Sequence, residues 1–429
     1  MNKLTNVLVY PCGAESGLEI HLALKDIMNI RVVGASGKED HGRMVYKNYY
    51  GDFPYVGSPE FIGTLNQLIE KEAIDIILPT HDTVLLYLAR NAEKINTRIA
   101  FPSLEATEIC RSKKKIYDLF SKYDFCPEVY DDIEKIENFP VYAKLDEGQG
   151  SKGAFIVKDK KQLTDLEDIE NFVVMELLPG EELTIDCFTD RHGRVQFVGP
   201  RNRKRVSDGI SVNSNSVPVT EEINSIAKIV SDEIGIRGSW YFQLKKDVNG
   251  KFKLLEASVK VAGNSNTFRG LGVNLPLLMV YDYLDYDVEV FHNDYAIEVD
   301  RCLQSRYNIE LEYDTIYIDF DDTITKNKEV NPNVMMFLYH QKLKKRAIKL
   351  ITKHIHDLDQ TLENLAIHKG IFDEIIHLKM EDEKYLYIME KERVIFIDNA
   401  YGERAKVKKE LNIPVFDVDT IPTLIDWRE

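Results

Sequence analysis

Cysteine is scarce in this chain. There are five in 429 residues (Cys12, Cys110, Cys126, Cys187 and Cys302), an odd number with no C-x-x-C pair. That excludes a disulfide framework and a Cys-rich zinc site, and leaves reduced thiols as the simplest reading. Long apolar runs are missing too: no stretch approaches the ~20 residues that span a bilayer. The segment 1–6 runs straight into a strand-like stretch without an apolar signal core. A cytoplasmic location with no membrane partner is expected. Positive charge is in deficit, with a formal net charge of −16, and such a surface repels nucleic acid phosphates. Short basic clusters stand at 111–115, 201–205 and 342–346. They are too short and scattered for a nucleic-acid groove, and such clusters more often hold a small anion or lie solvated on a helix. No nucleic-acid partner is expected. Internal repeats, low-complexity tracts and Pro/Gly-rich linkers are also lacking.

What is present is ordinary for globular proteins, 44% apolar and 29% charged residues. The length suits two or three folding units. The first hundred residues alternate strand and helix: Val7-Leu8-Val9-Tyr10, a helix-period stretch from Gly17 to Met28, Ile30 to Val33, a helix near Phe61 to Ala73, then Asp75 to Pro79. This alternation predicts a mostly parallel sheet covered on both faces. Ligands bind such sheets at the carboxyl ends of the strands, where Cys12, Gly13, His81 and Asp82 fall. Each equally suits a turn or a helix cap. From Lys113 to about Asp300 the texture changes to paired strands. Near 300–312 the strand-helix alternation restarts.

The middle region carries the densest signal. The strand Phe139-Pro140-Val141-Tyr142-Ala143-Lys144 ends in a lysine. A loop with Gly148, Gly150 and Gly153 follows, then the strand Ala154-Phe155-Ile156-Val157. Glycines let backbone N–H groups approach phosphate oxygens, and a neighbouring lysine adds a cation. Lying between two strands, the loop is neither a P-loop nor a dinucleotide fingerprint; alone, it reads equally as a glycine hairpin with solvated charges. Further on, Val173 to Leu178, Pro179-Gly180 and Glu181 to Asp186 form a strand, a tight turn and a second strand. Gln243 and Glu256 fall on two strands joined by the hairpin turn Asp247-Val248-Asn249-Gly250. Adjacent antiparallel strands can point both side chains into one site as hard oxygen ligands for Mg²⁺, or leave them as a solvated polar pair.

In order and spacing these pieces resemble the ATP-grasp superfamily, over residues 1 to about 300. The resemblance implies ATP and Mg²⁺ as cofactors. Lys113 and Lys144 would hold the phosphates beneath a flap at 148–153 that includes Gly150, Ser151 and Gly153. Glu176 and Leu178 would sit at the adenine hinge and Glu182 on the ribose. Arg201, Arg203 or Arg205 would meet the γ-phosphate or an acyl phosphate. Glu256 would bind Mg²⁺, with Gln243 the weaker candidate. The family often reads Glu-x-Asn-x-Arg at the metal strand, where this chain reads Glu256-Ala257-Ser258-Val259-Lys260. Ser258 is a weaker oxygen ligand, and Lys260 keeps the charge but loses the planar fork. The segment 263–276 would line the acceptor side. The implied chemistry is phosphorylation of a carboxylate by ATP and attack of an amine on the acyl phosphate, with small-molecule carboxylate and amine substrates and a homodimer within what such enzymes allow.

At the C-terminal end, the apolar run Thr315-Ile316-Tyr317-Ile318 delivers Asp319-Phe320-Asp321-Asp322-Thr323. Two carboxylates one residue apart point to the same side of an extended backbone. One can attack phosphorus and the other protonate the leaving oxygen. A second strand ends in Thr352, and a third ends in Asp398 with Glu403 five residues on. This order resembles the haloacid-dehalogenase (HAD) superfamily. By that resemblance Asp319 is the nucleophile, Asp321 the acid/base, Thr352 a phosphate ligand and Lys384 (less so Lys379) the neutralising cation. Asp398 would hold Mg²⁺ with Asp319 and Asp321. Asp398-Asn399 departs from the commoner acidic pair, so Glu403 would supply the other carboxylate. The gaps leave no room for a large cap. The expected fold class is therefore α/β and α+β: a parallel α/β pre-grasp domain at 1–108, an ATP-grasp domain at 109–304, and a capless, Rossmann-like HAD domain at 305–429. The expected function is an ADP-forming carboxylate–amine ligase fused to a Mg²⁺-dependent phosphatase. The rivals are a carbamoyl- or carboxyphosphate-forming enzyme, and a nucleotide-sensing module that controls the HAD domain.

Overall fold

The computed structural model describes residues 3–148, 150, 153–207 and 209–428. The chain divides into two compact units, 1–303 and 304–429. Residues 1–108 and 109–303 thus pack into one unit. Among the described residues no helix is long and apolar enough to cross a membrane.

The first unit begins with β1 (Thr5–Tyr10), β2 (Ile30–Ala35), β3 (Asn48–Tyr50), β4 (Ile76–Pro79) and β5 (Arg98–Ile99). They form a five-stranded sheet in the order β3-β2-β1-β4-β5, and every pairing is parallel. Parallel strands are covered on both faces and read as continuous apolar runs. In β1, Val7 and Val9 enter one core while Leu8 and Tyr10 enter another. The expected parallel sheet is present. The carboxyl end of β4 delivers His81 and Asp82, and a helix starts at Asp82.

The chain continues through β6 (Val141–Leu145), β7 (Ala154–Val157), β8 (Phe172–Glu176), β9 (Glu182–Thr189), β10 (Val195–Asn202), β11 (Arg205–Ser207), β12 (Ile210–Asn215), β13 (Gly238–Lys246), β14 (Phe252–Ser258) and β15 (Glu298–Asp300). Three sheets result: β7-β6-β8, β10-β9-β13-β14 and β11-β12-β15. The four-stranded sheet is antiparallel, and its two faces differ in chemistry. Leu183, Ile185, Cys187, Trp240, Phe242, Leu244 and Leu254 point into a core. Ile223, Ile226, Ala227, Val230 and Ile234 of the helix Glu221–Ile234 share that core, at the spacing of one helical face. Thr220 caps this helix and Gly235 ends it at φ 72°. Alternation along β9 and β13 then places Thr184, Asp186, Tyr241 and Gln243 on the opposite face, and a bulge in β14 between Leu254 and Glu256 turns Glu256 and Ser258 to that same face.

The second unit holds β16 (Thr315–Ile318), β17 (Thr325–Lys326), β18 (Glu329–Val330), β19 (Ala347–Thr352), β20 (Glu374–His377), β21 (Val394–Ile397) and β22 (Val415–Phe416). Five of them make a parallel sheet in the order β20-β19-β16-β21-β22. Ile316, Ile318, Ile348, Leu350, Ile395 and Ile397 pack on one face; Tyr317, Ile351 and Phe396 pack on the other. The three central strands, β19, β16 and β21, run into Thr352, Asp319 and Asp398, so these three residues share one edge.

Candidate functional sites

Strand register assembles the first site. Across the four-stranded sheet, Arg201 pairs with Thr184, Thr184 with Gln243, and Gln243 with Glu256. One row of cross-strand neighbours therefore presents a guanidinium, a hydroxyl, an amide and a carboxylate on a single face. The next row holds Asp186, Tyr241 and Ser258. Two adjoining cavities lie over this face, of about 430 Å³ and about 260 Å³. Lys113, Arg203, Gln243 and Glu256 line both.

The larger cavity is flanked by the glycine-rich loop and by the β8–β9 turn. Lys144, Met175, Glu176, Leu178, Glu182 and Gly150 are among its walls. Gly153 ends the loop at φ 68°, with Leu145 against its Cα. Gly209 has φ +76°, and a Cβ there would stand 2.5 Å from the carbonyl oxygen of Gly150. The two backbones meet directly, which only glycine permits at that distance. Ser151, the remaining flap residue expected to bind phosphate, lies outside the described residues. Glu182 accepts an ion pair from Arg203 at 2.9 Å and from Lys245 at 3.3 Å.

Both phosphate-binding lysines expected from the sequence face this space. Lys113 Nζ donates to the carbonyls of Asp146 and Gly148, each at 3.0 Å. Burial lowers its pKa, with Arg111 adding to the effect and Glu256 opposing it. Lys144 Nζ donates to Tyr117 Oη at 2.6 Å and to the Leu255 carbonyl at 2.8 Å. Burial brings Lys144 down to about 7, against the pull of Glu256. A buried cation this weakly held is primed to be charged by an incoming anion.

The smaller cavity reaches the N-terminal sheet, with His81 and Asp82 in its wall beside Arg201, Ser258, Lys260 and Asn264. Lys260 lies 3.2 Å from Asp82 and donates to Tyr241 Oη at 2.9 Å. Ser258 Oγ donates to Asp82 at 2.8 Å. Burial works to lower Lys260 and to raise Asp82, but their mutual attraction wins on both sides: Lys260 is raised and Asp82 lowered. Asp82 thus takes up the two residues at which this chain departs from Glu-x-Asn-x-Arg, a partnership that sequence reasoning missed. Burial also lowers the imidazole of His81, with Lys260 and Arg111 adding. Arg201 Nε donates to Asp186 at 2.6 Å, while one of its terminal nitrogens is buried without a hydrogen-bond partner among the described residues. Arg205, the third arginine weighed for the γ-phosphate, pairs with Asp300 on the exposed β11–β15 sheet.

The second unit gathers its own group. Lys384 Nζ donates to Asp319 and to Asp398, each at 2.6 Å, and the backbone N–H of Ala400 donates to Asp398 at 2.7 Å. Burial, reinforced by Asp398, pushes the Asp319 carboxyl up to about 6 against the attraction of Lys384. Burial raises Asp398 as well. Lys384 is raised: its two carboxylates outweigh its burial. Lys384 starts a short 3₁₀ turn, whereas Lys379 is exposed. Thr352 is fully buried, and its hydroxyl accepts from the His354 backbone N–H at 3.1 Å. Asp321 is half-exposed and meets His354 Nδ1 at 2.9 Å. No sequence signal singled out His354. Glu403 pairs with Lys353 at 2.7 Å, and its second oxygen is buried without a hydrogen-bond partner among the described residues.

Among the described residues, no three His, Cys, Asp or Glu side chains converge as a ready metal cage. Mg²⁺ rarely requires one: one or two carboxylates, waters and substrate phosphates commonly complete its octahedron. Glu256 with Gln243, and Asp319 with Asp398, are donor sets of that kind.

Comparison with known proteins bears on the first unit. The family described as ATP-grasp in the biosynthetic pathway with Ter operon matches residues 168–304. No curated protein matches the sequence. Among solved structures, biotin carboxylase from Campylobacter jejuni, in complex with β-γ-ATP, is 17% identical, with 67% of this chain and 72% of that one covered at a TM-score of 0.56. N5-carboxyaminoimidazole synthetase from Staphylococcus aureus, with ADP, is 15% identical over 68% and 80% at 0.54. L-amino acid ligase from Bacillus licheniformis is 16% identical over 66% and 75% at 0.52. With a family match that falls almost wholly in the first unit and structural likeness over about two thirds of the chain, the protein contains an ATP-grasp fold.

Proposed function

We propose that residues 1–304 form an ATP- and Mg²⁺-dependent ligase that joins a small carboxylate to an amine through an acyl phosphate. The observation that carries this reading is the convergence of Lys113, Lys144, Arg203 and Glu256 on one cavity. Three cations and a carboxylate suit a Mg²⁺–polyphosphate, where charge accumulates as the phosphoryl group transfers. Glu256, with Gln243 beside it, would hold the metal, and Lys144 and Lys113 the phosphates. The adjoining cavity, with Arg201, His81 and Lys260, would take the carboxylate and the amine. Structural neighbours whose names include an amino acid ligase and ADP- or ATP-bound enzymes support the same reading. The test is a product assay over a panel of amino acids and uronic acids with the full chain. ADP and phosphate are expected in equal amounts, because an acyl phosphate takes only the γ-phosphoryl group. AMP and pyrophosphate as the stoichiometric products would rule it out.

One observation favours a different reading: Lys260, at the reaction-centre position, is already neutralised by Asp82. A nucleotide-binding module without turnover fits that pairing. Tight Mg·ATP binding with no ADP release across the whole panel would select it.

For residues 305–429 we infer a capless HAD-type phosphotransfer domain. The support is geometric: Asp319, Thr352 and Asp398 end three neighbouring parallel strands, and Lys384 bridges the two carboxylates. Asp319 would attack phosphorus, and Asp321 would protonate the leaving oxygen. Mg²⁺, which Asp319 and Asp398 would bind, neutralises phosphate charge during such a displacement.

A further inference from the structure

Asp321 differs from the other acidic groups of its site. Its side chain is 53% exposed, while that of Asp319 is 9% and that of Asp398 1%. A half-solvated carboxylate on a tight loop samples several rotamers unless something holds it. Here the holder is His354, two residues beyond Thr352 on the neighbouring strand end. Its Nδ1 lies 2.9 Å from one Asp321 oxygen and 3.0 Å from the other.

The ring is fixed from two sides and its backbone from a third. Nε2 lies 3.1 Å from Thr361 Oγ1. The Thr361 hydroxyl donates its proton to the Asp357 carbonyl at 2.7 Å, so Thr361 accepts from the Nε2–H. The edge of the ring meets Phe320 at 5.2 Å between centroids. The backbone N–H of His354 donates to Thr352 Oγ1. A ring flip would break the Thr361 contact and turn carbon toward Asp321. Everything that orients the imidazole thus also aims Nδ1 at the carboxyl group.

We propose that His354 is the positioning residue for Asp321: it holds the acid/base carboxyl at the leaving-group side of the phosphoryl site. The inference rests on the phosphotransfer reading of residues 305–429. His354 does not touch phosphorus or the nucleophile and acts only through Asp321. Losing it leaves attack by Asp319 intact and misplaces the proton that the departing oxygen needs. The defect therefore scales with how poor the leaving group is.

The test measures kcat and KM of the full chain with Mg²⁺ on glycerol phosphate, whose alkoxide must be protonated, and on p-nitrophenyl phosphate, whose phenolate leaves without help. His354→Ala is expected to lower kcat on glycerol phosphate by roughly 10- to 100-fold, below the full value of a general acid, with KM little changed. On p-nitrophenyl phosphate it should stay within about threefold of wild type. His354→Asn, whose amide reaches the Nδ1 position, should recover most of the loss. Equal losses on both substrates, or no loss on either, overturn the positioning role. An Asp319→Asn protein as active as wild type overturns the phosphotransfer reading itself, and this inference with it.

Discussion

Lys144 gives the sharpest test of the nucleotide site, because its proton and the nucleotide are coupled. Burial holds Lys144 at about 7 in the free protein, against an ordinary lysine at about 10.4. Among the described residues its N–H contacts are two, to Tyr117 and Leu255, which use the two protons of a neutral amine. A third proton therefore comes with a phosphate oxygen to receive it. At pH 8 only about a tenth of the free protein carries that charge, and Mg·ATP binding should take up close to one proton. The sign follows: the bound form holds the proton and the free form has lost it, so affinity falls as pH rises above 7. The slope should approach about tenfold per pH unit between 8 and 9. Titration calorimetry at pH 8 in buffers of different ionisation enthalpy reads the proton uptake directly. Lys144→Met keeps the apolar stem and removes the charge. It should cost at least about tenfold in affinity at pH 7, in line with a charge-assisted contact, and abolish both the uptake and the slope. Stability supplies an independent check. The unfolded chain binds the Lys144 proton more tightly, so this group's contribution to apo-protein stability rises with pH between about 7 and 10.5. A pH-independent affinity with no proton uptake, unchanged in Lys144→Met, would refute the reasoning.

Two further outcomes are expected. Asp82→Asn leaves the buried Lys260 ammonium without its counter-charge and should destabilise the first unit by roughly 3–5 kcal/mol in chemical denaturation; adding Lys260→Met should restore most of it, whereas a change under about 1 kcal/mol in the single variant would show the pair to be solvated. Asp319→Asn should abolish Mg²⁺-dependent phosphate release from small phosphate esters while preserving the fold by circular dichroism, since only the anionic nucleophile is lost; release at the wild-type rate would remove Asp319 from that role.

Parallel sheets were legible because strands buried on both faces leave uninterrupted apolar runs: Val7-Leu8-Val9 and Thr315-Ile316-Tyr317-Ile318 announce themselves locally. The residues ending those runs were legible for the same reason, since a strand end is a sequence position. The four-residue row from Arg201 to Glu256 was only half-legible. Gln243 and Glu256 share a hairpin, but Arg201 and Thr184 join them through a register set by strand pairing. The pairing of Asp82 with Ser258 and Lys260 was not legible at all, because it joins the end of a parallel strand to an antiparallel sheet with over 170 positions between. A lone histidine such as His354 carries no pattern; only the fold places it beside Asp321. Lys384 was favoured over Lys379 by the resemblance alone; in the structure Lys384, on a short 3₁₀ turn, is the one that faces Asp319 and Asp398.

The meeting of Gly150 and Gly209 has a consequence for how this protein could be altered. At Gly209 the nearest neighbours are backbone atoms of Gly150, which cannot give way as a flexible side chain can. The only available change is added bulk, and the smallest unit of bulk is already too large. A methyl at Gly209 would sit 2.5 Å from the Gly150 carbonyl oxygen and would also strain a backbone at φ +76°. One backbone or the other would have to move, and the loop that carries Gly150 would shift against the wall of the cavity it lines. Such a contact is all-or-none: it tolerates no gradual drift in bulk, and a single added atom decides whether the two backbones can meet.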